Sequence, residues 1–145
     1  MTVAAEPIRA SAPTRRRRMA APVAVVGGLA AATLALHLRD PHEPGSWGMC
    51  VSAALGFSCP GCGGLRAVND LTNLDVAAAA SSNLLFVLSV PFVIYALVRW
   101  THARWTGRPW VVPPRRLTAA AIALVTAMVL FAVVRNLPAG SWLAP

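Results

Sequence analysis

Apolar residues fall into three long blocks along the chain, rather than at the spacing of a half-buried helix or strand. Residues 19–38 run for 20 positions without a formal charge, residues 76–98 for 23, and residues 117–134 for 18. About 20 apolar residues at roughly 1.5 Å each cross a hydrocarbon core of about 30 Å. In lipid, a single segment satisfies its own backbone hydrogen bonds only as a helix, so each block predicts a transmembrane helix. In the first, Gly27 and Gly28 let a neighbouring helix approach closely. In the second, Asp75 is expected to cap the exposed start, Asn83 to mark the entry into the membrane, and Pro91 to kink the helix. The expected fold class is an all-α integral membrane protein with three transmembrane helices. A short amphipathic helix is expected in the first extracytoplasmic loop.

Composition agrees with the blocks. Hydrophobic residues make up 57% of the 145 and charged residues 12%, against about 25% charged in a soluble domain. The net charge is +8, and every basic residue is arginine. These arginines flank apolar runs and form no stripe interleaved with aromatics, which argues against nucleic acid as a partner and for membrane topology. The tail carries Arg9 and Arg15 to Arg18, and the stretch between the second and third blocks carries Arg99, Arg104, Arg108, Arg115 and Arg116. The opposite side holds only Arg39, Arg66 and Arg135. Ten against three places the N-terminus in the cytoplasm and the C-terminus outside, in a bacterial cytoplasmic membrane. Trp100, Trp105, Trp110 and Trp142 lie near span ends, where interfacial indoles belong. Residues 1–18, rich in Pro, Ala and Arg, predict a disordered basic cytoplasmic tail. Residues 19–145 predict a single three-span membrane domain with a cysteine-bearing loop at 39–75.

Two segments admit a rival reading. The arginines before the first block resemble the start of a secretory signal, but the apolar run exceeds the roughly 7 to 15 residues usual for a signal core. No small-x-small cleavage site precedes a polar stretch, so a retained anchor is expected. Residues 47–57 are apolar and uncharged but too short to span. Counting them as a span would also move the arginine-rich 99–116 loop outside, so a re-entrant or surface-lying segment is expected.

The 39–75 loop holds the unusual chemistry: Cys50, Cys59 and Cys62, the chain's three cysteines. Its core reads Cys59-Pro60-Gly61-Cys62-Gly63-Gly64-Leu65-Arg66-Ala67. A short helix is expected from about Gly63 to Leu74. Leu65, Val68 and Leu71 share one face, turned to the bundle or the membrane interface, while Arg66, Asn69, Asp70 and Asn73 share the other. The order and spacing of these residues resemble a bacterial membrane-protein family, domain of unknown function 2752. Its hallmark is a Cys-Pro-x-Cys-Gly-x-x-Arg-Ala core with an upstream cysteine, a later Gly-Asp and an Asn at the next helix entry. The chain matches at Cys50, Cys59, Pro60, Cys62, Gly63, Arg66, Ala67, Asp75 and Asn83. It departs at Asn69, where His is common, and at Leu74, where Gly usually precedes the Asp. The resemblance implies a membrane protein and no particular reaction.

The cysteines leave three readings open. Cys59 and Cys62 have the spacing with which two thiolates reach one zinc ion from a tight turn. Cys50 supplies a third sulfur, and His42, His37, Asp70 or water a fourth ligand. Met49 would add a soft thioether and admit copper(I). Alternatively, Cys-Pro-Gly-Cys has disulfide-oxidoreductase spacing. A helix starting near Cys62, with Arg66 one turn along, favours the Cys59 thiolate, and Cys50 is a resolving partner. No thioredoxin-like βαβ unit surrounds the motif. In the third reading, a bond from Cys50 to Cys59 or Cys62 staples the loop and leaves one odd cysteine.

Arg66 and Asp70, four apart, either form a surface ion pair worth roughly a few tenths of a kcal/mol, or Arg66 holds an anionic group or a thiolate. Asp75 and Asn83 complete the polar residues expected to support the site. There is no persuasive Ser-His-Asp order, no paired carboxylate within a span, and no strand before Gly61-x-Gly63-Gly64 to make a phosphate loop. His102 reads as a solvated interface residue. The spans lack the mid-membrane ionisable group of a pump. The expectation is a metal-binding or structural membrane module, with zinc the metal, rather than an enzyme. The alternatives are a membrane thiol-disulfide redox protein and an accessory subunit of another membrane protein. Three helices alone bury little surface, so self-association or a partner within the bilayer is expected.

Overall fold

The computed structural model describes residues 14–43, 47 and 55–143. Among these the chain is helical, with no strand. Three helices are long and apolar enough to cross a membrane: α1 (Arg15–Leu38), α3 (Val76–Thr106) and α4 (Pro114–Arg135). The short α2 (Gly64–Thr72) precedes α3, and a 3-10 helix, Pro138–Leu143, follows α4. The three expected spans are thus present, each longer than its apolar block. Arg15 to Arg18 form the first turn of α1 rather than the end of the tail. Most of the re-entrant segment expected at 47–57 lies outside the described residues.

The spans are apolar all round and mostly exposed, as lipid-facing helices are. Polar and cation–π contacts between them lie at their ends. At one end, the Arg15 guanidinium carbon lies 3.1 Å from the Trp105 ring centroid, and the Arg18 guanidinium lies over Gly107, just past α3. Cation–π stacking and the negative C-terminal end of α3 both favour these arginines. At the other end, α2 and the cysteine turn pack against all three spans.

Helix α2 buries part of its polar face. Asn69 and Asp70 are buried on the bundle, while Leu65 on the apolar face remains 48% exposed. Asn69 Nδ2 donates to Leu36 O at 2.8 Å, satisfying one of the carbonyls left open at the end of α1. In lipid, no hydrophobic force drives apolar side chains toward the bundle, whereas an unpaired polar group is costly, so these polar residues turn inward. Leu65 faces outward, while Val68 and Leu71 are half-buried, so the apolar face lies partly against the bundle and partly outside it.

Helix α3 begins as expected: Asp75 Oδ1 accepts from Ala78 N at 2.8 Å. Its interruption falls at Asn83 (φ −160°, ψ 91°) and not at Pro91. A proline leaves one carbonyl without a partner but can remain in the helical basin, whereas Asn83 leaves that basin. Asn83 Oδ1 accepts from Phe86 N at 2.9 Å, the reach of an N-cap. Asn83 thus caps the long apolar part of α3.

Candidate functional site

The cysteine turn is built by short-range hydrogen bonds. Cys62 N donates to Cys59 O at 3.0 Å, and Gly64 N to Gly61 O at 3.1 Å. Gly63 lies between turn and helix at φ 78°, a left-handed conformation that a side chain would resist. These turns bring Cys59 Sγ and Cys62 Sγ to 3.1 Å. Cys62 is buried and Cys59 half-buried. Cys50, the third cysteine of the expected site, lies outside the described residues.

The turn also points its carbonyls inward, where two side chains receive them. Asn83 Nδ2 donates to Pro60 O at 2.9 Å and to Cys62 O at 3.0 Å. The departure of Asn83 from helical backbone thus accompanies a side chain that joins turn, kink and second helical segment. From α4, Arg135 Nη1 donates to Cys59 O at 2.8 Å and to Cys62 O at 3.0 Å. Its Nη2 donates to Leu143 O at 2.8 Å. Next to it, Asn136 Oδ1 accepts from Ser58 N at 2.9 Å while its Nδ2 donates to Ser58 O at 2.8 Å. The 3-10 helix closes over this end: Gly140 packs so tightly on the Val134 carbonyl that a β-carbon there would clash. Main-chain carbonyls in an apolar setting need donors, and here α3 and α4 supply them.

Asp70 and Arg66 do not pair with each other among the described ion pairs. Asp70, 7% exposed, accepts from Ser82 Oγ at 2.8 Å, and His42 Nε2 lies 3.4 Å from its other oxygen. His42 also bonds Asp40 Oδ1 through its backbone N and Nδ1, each at 2.8 Å. These two bonds, the backbone one foremost, hold the Asp40 carboxyl below its ordinary value. Arg66 Nε donates to Pro41 O at 3.4 Å. Both residues therefore fasten the 39–43 segment to the bundle.

His37 bonds Thr72 Oγ1 through Nδ1 at 3.0 Å. Thr72 spends its own proton on Asn69 O at 2.6 Å, so His37 Nδ1 is the donor. Among the described residues, no group of three or more His, Cys, Asp or Glu converges so as to hold a metal ion. His37, His42 and Asp70, each considered as a fourth ligand, are engaged in these other contacts.

Sequence reasoning missed Arg135, Asn136 and Ser82. Arg135 ends an apolar run and reads as an interfacial flank, yet it is 2% exposed. Its signal was its side: it is one of only three arginines opposite the basic end. Ser82 adjoins Asn83, and nothing in their order shows that the two face different parts of the loop.

The model of a family described as a protein of unknown function (DUF2752) matches residues 50–97. That stretch takes in the cysteine turn, α2 and most of α3, so the resemblance read from the motif holds there. No curated protein and no solved structure matches the chain.

Proposed function

We propose that this chain is a membrane-anchored thiol-disulfide exchange protein whose Cys59–Cys62 pair works on the extracytoplasmic side. The observation that carries the reading is the 3.1 Å approach of the two sulfurs in a turn fastened to two membrane helices. Two thiolates sharing a tetrahedral zinc, with Zn–S near 2.3 Å, stand about 3.8 Å apart. A disulfide needs about 2.05 Å. The contact lies between the two, shorter than the separation of two sulfurs that share a zinc. Pair chemistry suits it better than a metal centre.

Cys59, the more exposed, is the attacking sulfur. Its thiolate attacks one sulfur of a partner protein's disulfide; a mixed disulfide forms and the first partner thiolate leaves. The Cys62 thiolate then attacks the Cys59 sulfur, closing Cys59–Cys62 and releasing the second partner thiolate. Two electrons pass to the partner, and the two thiol protons end on its sulfurs. The reverse sequence oxidises a partner dithiol. The arginine asymmetry supports the outward placement of the pair, where disulfide substrates occur.

The test is equilibration of the full chain in detergent with buffers of graded dithiol-to-disulfide ratio, the Cys59–Cys62 state being read by alkylation and mass spectrometry. The reading expects a reversible two-electron transition that Cys59→Ser and Cys62→Ser each abolish. About one zinc or copper per chain in protein never exposed to chelator, lost in either variant, would instead establish the metal site.

A further inference from the structure

Arg135 is a buried charge whose partners, among the described residues, are all neutral. Its two terminal nitrogens bond three main-chain carbonyls, and its Nε is buried without a partner. The described acids are Asp40, Glu43, Asp70 and Asp75; none pairs with it, and the described ion pairs join His42 to Asp40 and Asp70. A guanidinium is not deprotonated in a protein. Burying one is costly unless an anion lies near. Carbonyl dipoles offset part of the cost, but they carry no charge. The groups beside it that can supply a charge are the thiols of Cys59 and Cys62, the two residues whose main-chain carbonyls its Nη1 grips.

We propose that Arg135 is a positioning residue for the thiol pair: its fixed positive charge is the counter-ion of the Cys59–Cys62 thiolate, and its fork sets the turn that holds the two sulfurs together. The inference deepens the exchange reading and rests on it for its purpose, though not for its test. A buried cation beside a thiol favours the thiolate. Asn83 grips Pro60 and Cys62 of the same turn and has no charge, so it separates the two parts of the role. Loss of Asn83 loosens the turn and leaves the charge in place.

The experiment is site-resolved alkylation of the reduced full chain in detergent across pH, read by peptide fragmentation so that Cys59, Cys62 and Cys50 are followed separately. In the natural protein, the lower of the Cys59 and Cys62 midpoints is expected at least about one unit below the ordinary thiol value near 8.5. Arg135→Gln should raise that midpoint by about one unit or more, which is about a tenfold loss of alkylation rate at neutral pH. Arg135→Lys should restore most of it, and Asn83→Ala should move it far less than Arg135→Gln does. A natural midpoint at or above 8.5, or equal shifts in Arg135→Gln and Asn83→Ala, overturns the proposal. The natural-protein measurement decides even if the variants fail to fold. A low midpoint in a chain that performs no exchange would overturn the functional reading and leave the counter-ion standing; exchange with an ordinary midpoint would do the opposite.

Discussion

The two ends of the bundle are both polar, but they are held together by different forces. At the arginine end, charged side chains lie over aromatic rings: Arg15 over Trp105, and Arg104 over Trp100 at 5.9 Å. At the cysteine end Arg39 and Arg135 also lie near rings, those of Trp47 and Phe131. There, however, side chains also reach inward and end on main-chain carbonyls or on one another, as Asn83, Arg135, Asn136 and Asn69 do. Stacked arginines at an interface keep access to water and headgroups, so each contributes little and tolerates loss. Buried donors and acceptors cannot fall back on water, so removing one strands its partner. The difference teaches where this fold is specified: the spans choose the membrane, and the cysteine end chooses the arrangement.

If that is right, the largest stability loss should follow Asn83→Ala. The change removes three hydrogen bonds that join the turn, the kink and the second part of α3, and should cost about 2–4 kcal/mol in detergent unfolding. Ser82→Ala withdraws a donor from a buried carboxylate and should cost about 1–3 kcal/mol. Leu74→Gly should stabilise the chain. Leu74 is held at φ 63°, in the region where a side chain costs roughly 1–2 kcal/mol and glycine almost nothing. After the greater chain entropy that glycine loses on folding, a net gain of about 0.5–1 kcal/mol should appear in thermal melts.

Arg15→Ala, at the other end, should cost at most about 1 kcal/mol. A loss as large as that from Asn83→Ala would break the comparison. The smallest effect belongs to Asp40, which is fully exposed. Its folded value lies below the ordinary 3.8, so its stabilising bonds to His42 are fully present above that value and are lost as pH falls through the lower folded one. Asp40→Asn should flatten that acid limb and lower melts at neutral pH only slightly, since the group is fully exposed.

The same contrast explains what could be read from the sequence. The spans were legible because lipid imposes length and apolarity on every residue of a segment, and a run of 20 cannot be mistaken. The Cys59-Pro60-Gly61-Cys62 turn was legible because its spacing is local, as was the Asp75 cap, three residues from the amide it accepts. The contacts that assemble the site join residues far apart, such as Arg135 to Cys59 and Asn136 to Ser58. A residue type at a span end does not disclose such a partner. Arg135 obeys the same interfacial statistics as Arg99 and ends up buried rather than exposed. The burial of Asn69 and Asp70 on α2 was hidden for another reason: the periodicity of Leu65, Val68 and Leu71 gives the direction of the apolar stripe but not which residues the bundle covers. Leu74 shows a converse gain, since its backbone angle of φ 63° locates a strain that its residue type alone does not disclose.

The most direct test of the account is the state of Cys59 and Cys62 in native membranes, trapped with acid, alkylated differentially before and after reduction, and read by mass spectrometry. The account predicts a mixture of dithiol and Cys59–Cys62 disulfide that moves within minutes toward dithiol with added reductant and toward disulfide with added oxidant. A pair that stays unmodified and unchanged under both treatments while the purified chain carries a stoichiometric metal ion would contradict it.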